Sequence, residues 1–150
     1  MRRVTTAVTA AAVAVVSLFG AAGLTVAHEF GEQQQRGLAV IAVLTAPDAT
    51  LISAPVTTGG TVTIVMSRRH RELVFAASGL RALPSSRCYE LWLMGPDGDT
   101  PVGMLPAPRD GMTGPLIASG LAAGDRLGLA VEPAGGGRRP GSRMVLVVPV

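Results

Sequence analysis

The stretch Arg87 to Met94, R-C-Y-E-L-W-L-M, limits what this chain can fold into more than any other. It carries the only cysteine, the only tyrosine and the only tryptophan of 150 residues. Large apolar side chains occupy both parities, with Tyr89, Leu91 and Leu93 on one and Trp92 and Met94 on the other. Successive strand side chains point to opposite faces, so such a run suits a strand covered on both sides. The expectation is a central strand with Leu91 and Trp92 buried on opposite faces.

The sequence after Asp48 reads as short apolar segments separated by turn residues. Thr50–Val56 ends at Thr57-Thr58-Gly59-Gly60, and Thr61–Ser67 alternates Val62, Ile64 and Met66 against Thr61, Thr63 and Val65. Arg68-Arg69-His70-Arg71 then forms a basic hairpin tip before Leu73–Ala77. Residues 79–86 cross over to the Arg87 strand. Pro96-Asp97-Gly98-Asp99 is a turn, since proline presets φ and glycine permits positive φ, and Pro101–Leu105 pairs back across it. Pro115 makes Met112–Ile117 an edge strand or loop, because proline cannot donate to a ladder. Arg126–Glu132, a glycine-rich loop over residues 133–142 and Met144–Val148 complete the chain. This predicts an all-β fold, a Greek-key-like β-sandwich of about seven or eight strands over residues 48–150.

The segment before it differs. Val4 to Ala27 contains no charge and follows Met1-Arg2-Arg3. As a helix it is roughly 36 Å long, enough for a hydrocarbon core of about 30 Å. The arginines favour a cytoplasmic stub at residues 1–3 and an extracytoplasmic domain beyond the span. Thr25-Val26-Ala27 also fits a signal-peptide cleavage site, but the apolar run exceeds the usual signal core of about 7–15 residues. An uncleaved transmembrane helix at residues 4–27 is therefore favoured over a secreted product, and both readings export the rest. Residues 28–47 form a juxtamembrane segment. Within it Leu38–Leu44 is apolar and too short to span, and its pattern fits a packed helix end or a buried strand.

The chemical inventory is thin. Hydrophobic residues make up 48% and charged residues 15%, and all 13 basic residues are arginine. A net charge of +3 that rests partly on Arg2 and Arg3 is too little for a nucleic-acid binder. One cysteine and two distant histidines supply no metal site. Cys88 with His70 would be a nucleophile and base only if the fold joined them, and a cysteine within an apolar strand is more often inert. The Gly135-Gly136-Gly137 triplet lacks the strand-to-helix context of a phosphate loop. The clusters Arg68, Arg69, Arg71 and Arg138, Arg139, Arg143 read as solvated loop tips, or as a surface for anionic lipid or wall polymer if the fold brings them together. Glu132, at a strand end before Pro133, is placed to accept hydrogen bonds from the amides of the loop that follows. No catalytic residue, cofactor or metal is expected, and the chain reads as a non-enzyme.

Four short motifs now stand in order behind one apolar span: Ala46-Pro47-Asp48-Ala49, Gly59-Gly60, Tyr89-Glu90-Leu91-Trp92 and Glu132-Pro133-Ala134-Gly135-Gly136. The set resembles the C-terminal domain of RskA-type anti-sigma-K factors over effectively the whole chain. The resemblance implies a bacterial single-pass membrane protein whose outer β domain takes part in negative control of a sigma factor. In such proteins a cytoplasmic domain, often zinc-binding, holds the sigma factor until stepwise proteolysis releases it. With three residues before the span, no direct sigma-factor contact is expected from this chain, and its partners would be the bilayer, another anti-sigma protein or a regulatory protease. The alternative is a secreted or anchored sandwich that recognises a cell-wall or surface ligand. Pro47, Asp48, Tyr89, Leu91, Trp92, Glu132, Pro133, Gly135 and Gly136 are the motif positions expected to hold the fold.

Overall fold

A computed structural model describes residues 32–150. The expected stub and membrane span at residues 1–3 and 4–27 lie outside them. Among the described residues no helix is long and apolar enough to cross a membrane.

Helix α1 (Glu32–Leu44) is followed by eight strands: β1 (Thr50–Pro55), β2 (Thr61–Ser67), β3 (Glu72–Ser78), β4 (Arg87–Gly95), β5 (Gly98–Met104), β6 (Met112–Ser119), β7 (Arg126–Pro133) and β8 (Met144–Pro149). They form two antiparallel four-stranded sheets. The first has the order β1-β2-β3-β6 and the second β5-β4-β7-β8. Because the chain passes between sheets after β3, β5 and β6, β3 pairs with β6 and β4 with β7. Such interlocked pairs are what Greek-key connections produce in a sandwich.

The inner faces meet in one core. Val62, Ile64, Leu73 and Phe75 of the first sheet pack with Tyr89, Leu91, Leu127, Leu129 and Val131 of the second. β4 is an interior strand, and Leu91 and Trp92 are both 0% exposed. Leu91 belongs to this core, whereas Trp92 has the opposite parity and lies on the outer face of the second sheet. The two-sided burial expected of this strand is observed.

The apolar run at residues 38–44 resolves as helix, and packing decides it. Val40, Val43 and Leu44, at helical spacing, sit on Val65, Val74, Ala76 and Ile117 of the first sheet's outer face. This cover also explains why Val65 shares a parity with threonines: Thr61 and Thr63 on that face are more open to solvent, while Val65 lies under α1. Leu38 and Ile41 point away from the sheet and are exposed.

Pro115, expected to mark an edge strand or loop, and Pro101 both lie in edge strands, where proline is tolerated. Pro115 lies in β6, at one edge of the first sheet, and Pro101 in β5, at one edge of the second. β5 begins at Gly98, earlier than the sequence suggests, because Gly95 pairs with Gly98 and only Pro96 and Asp97 remain to turn the chain.

Candidate functional site

The glycine-rich loop at residues 134–143 folds back over the outer face of the second sheet. Two carboxylates of that face hold it. Glu90 on β4 and Glu132 on β7 are 5% and 4% exposed. They share a face because Cys88 pairs with Glu132 and Glu90 with Ala130. The Gly137 amide donates to Glu90 Oε2 at 2.7 Å, and the Gly141 amide donates to Glu132 Oε1. A buried carboxylate is costly unless donors reach it, and closely approaching backbone amides are one way to supply them.

The glycines permit that approach. A Cβ on Gly136 would stand 2.9 Å from Glu90 Oε1, and one on Gly141 would stand 2.7 Å from Glu132 Oε2. Gly136 also has φ +82°, which other residues adopt only with strain. The Gly136 amide donates to Pro133 O at 2.9 Å and the Ala134 amide to Ser86 O at 2.9 Å, which fixes the start of the loop. Gly135 and Pro133 are exposed at this turn. Cys88, at the neighbouring edge of β4, donates its thiol to Pro133 O at 3.2 Å.

Two of the sequence motifs therefore meet. Glu90 of Tyr-Glu-Leu-Trp accepts from the loop that Glu-Pro-Ala-Gly-Gly opens. The acceptor role expected of Glu132 is present, and Glu90 adds a second carboxylate that holds the loop. Glu90 was missed by sequence reasoning. Its signal was a carboxylate on the same parity as Trp92 in an otherwise apolar strand, which requires donors from elsewhere. Tyr89 plays a separate part, because its hydroxyl donates to Arg81 O at 2.9 Å and tethers the 79–86 crossover.

Pro47 and Asp48 lie at the other end of the sandwich. Pro47 is exposed, and Asp48 joins the α1–β1 connection to the β2–β3 hairpin. Ser67 Oγ donates to Asp48 Oδ1 at 2.8 Å, and the Arg69 amide donates to Oδ2 at 3.0 Å. The Arg69 amide, and after it the Ser67 hydroxyl, holds the Asp48 carboxyl below its ordinary value. The His70 amide in turn donates to Ser67 Oγ at 3.2 Å.

The two basic clusters do not form one patch. β3 leaves the 68–71 tip at Glu72 and ends at Ser78, and the crossover then delivers the chain to Arg87, whose partner is Pro133. The 134–143 loop thus lies at the end opposite the hairpin tip. The same separation keeps His70 from Cys88, so no nucleophile–base pair forms between them. Arg71 is not a free solvated cation: its Nε donates to Leu121 O at 2.9 Å, while the Gly120 and Leu121 amides donate to Arg71 O at 2.8 and 3.1 Å. Among the described residues no group of three or more His, Cys, Asp or Glu side chains stands together. What the site can do is fix the shape of loops, one of which presents Arg138, Arg139 and Arg143 to solvent.

Comparison with known proteins identifies the family. Residues 6–145 match the family model described as anti-sigma-K factor rskA, C-terminal. An anti-sigma-K factor RskA of Mycobacterium sp. (strain KMS) is 31% identical over 146 residues, covering 97% of this chain and 58% of the relative. An uncharacterised protein in the phr 5′ region of Streptomyces griseus is also 31% identical over 146 residues, covering 93% of this chain and 61% of that protein. Against the RskA of Mycolicibacterium vanbaalenii the identity is 30% over 108 residues, with 72% of this chain and 45% of the relative covered. The chain spans about half to three-fifths of the length of these relatives. No solved structure matches it. With the family model matched over nearly its whole length, the chain belongs to the anti-sigma-K factor RskA C-terminal family.

Proposed function

We propose that this chain is a membrane-anchored, extracytoplasmic regulatory module of an anti-sigma factor system. Residues 4–27 anchor it, residues 28–47 lead out of the bilayer, and the sandwich from residue 48 onward works on the outer side through protein partners. Another anti-sigma protein and a regulatory protease are the partner classes that fit. Its role is negative regulation of sigma-factor-dependent transcription, without catalysis and without a cofactor. The observation that carries this reading is the family match over residues 6–145, which takes in both the apolar run and the sandwich. It is supported by the clamps at Glu90, Glu132 and Asp48, which use polar residues of the motifs that carry the resemblance to fix loop shape.

The test is deletion of the coding sequence followed by transcript profiling. Induction of one sigma-dependent set of promoters, reversed by the full chain, is expected. Unchanged transcription of every such set would overturn the reading. The anchor is tested by the mass of the mature protein recovered from membranes: an intact N-terminus is expected, and a new N-terminus at His28 would favour a secreted binding domain.

A further inference from the structure

The outer face of the second sheet carries a second feature, apart from the carboxylate clamp. Gly128 on β7 stands directly across from Trp92, and two methionine tips lie over it. A Cβ placed on Gly128 would meet Met144 Cε, with Met94 Cε at 2.9 Å and Met94 Sδ at 3.2 Å. Met94 follows Trp92 by two residues on the same strand face, and Met144 pairs with Ala130 beside Gly128. Both methionines are half-buried, so solvent reaches them. Trp92 itself is 0% exposed, yet its indole Nε1 has no hydrogen-bond partner. The unpaired donor and the two thioethers share one sheet face, with Trp92 directly across from the glycine that the methionine tips cover, and a thioether is only a weak acceptor.

We propose that Met94 and Met144 form an oxidation site for hydroperoxides whose state is reported by Trp92. A thioether sulfur lone pair attacks the distal oxygen of the peroxide. The O–O bond breaks, an S–O bond forms, and water leaves when the oxidant is hydrogen peroxide. Sulfur loses two electrons and the peroxide gains them. The product sulfoxide is polar and a strong acceptor, which the Trp92 N–H lacks, and it no longer fits an apolar cover. Oxidation therefore resets the packing of this sheet face. Met66, 8% exposed in the sandwich core, is shielded from the same reaction. Met104, 49% exposed, reacts freely and serves as an internal control. The proposal does not depend on the regulatory role above.

The experiment treats the full chain in detergent with hydrogen peroxide. It follows oxygen uptake by peptide mass and, in parallel, the fluorescence of the single tryptophan. Uptake at Met94 and Met144 accompanied by a red shift of Trp92 emission is expected, with reversal by methionine sulfoxide reductases A and B. M94L/M144L, a volume-conserving pair of changes, should take up oxygen at Met104 without any shift, while M104L should behave as the wild type. Far-UV circular dichroism and the single variants M94L and M144L guard against a folding defect. Three results would overturn the proposal: a shift that persists in the double variant, oxygen at both methionines with unchanged emission, or both remaining unoxidised after Met104 has reacted.

Discussion

Replacing Trp92 with alanine removes a fully buried ring from the outer face of an interior strand, and truncations of this kind cost about 3–5 kcal/mol. Urea unfolding of W92A, followed by circular dichroism since the fluorophore is gone, should show a loss of that size. Asp48 acts through charge instead. Its folded-state value is depressed, so its contribution is fully present above the ordinary carboxylate value of about 3.9 and fades as pH falls through the lower folded value. The melting temperature of D48N should lie below that of the wild type near neutrality, and the gap should narrow as pH falls below the ordinary carboxylate value. A gap independent of pH would mean the Ser67 and Arg69 contacts carry no charge contribution. Asp48 was legible only as a member of a motif, since its partners lie 19 and 21 residues away. Glu132 was legible as an acceptor because its donor, Gly141, is nearby in sequence. Glu90 was not, because 47 residues separate it from Gly137.

Among the elements, the 134–143 loop depends on glycine where side chains would collide. Gly136→Ala introduces both a strained φ and a Cβ against Glu90, and a cost of about 1–3 kcal/mol is expected. Hydrogen exchange should speed up at Gly137 and Gly141 while amides of β4 and β7 stay protected. Helix α1 is seated through Val40, Val43 and Leu44, of which Val43 is fully buried. Val43→Asp should undock it, with faster exchange along residues 38–44 and an intact sandwich core. Element type was readable wherever alternation was bounded by turn residues, as at Thr61–Ser67, where prediction and structure coincide. It was not readable at Leu38–Leu44. A seven-residue apolar run fits either state, and what decides it is a sheet face built by residues 65–117.

At the scale of the molecule, the pairing of β3 with β6 and of β4 with β7 was hidden from the sequence, because each pair encloses two intervening strands and is set by tertiary packing. The same topology explains why the termini of the β domain share one end. β1 starts where β2 finishes, with Thr50 across from Met66, and the Val150 amide donates to Asp125 O at 3.1 Å at the start of β7. Asp48 sits just ahead of that first strand pair. If tension enters the chain through α1, the load reaches the Val43 contact and then the two Asp48 hydrogen bonds before it reaches any ladder. Those bonds act as a mechanical fuse. Pulling the wild-type chain from its N-terminal side should show a small early rupture ahead of β1 peeling from β2, and in D48N that event should occur at lower force while the main unfolding force stays the same.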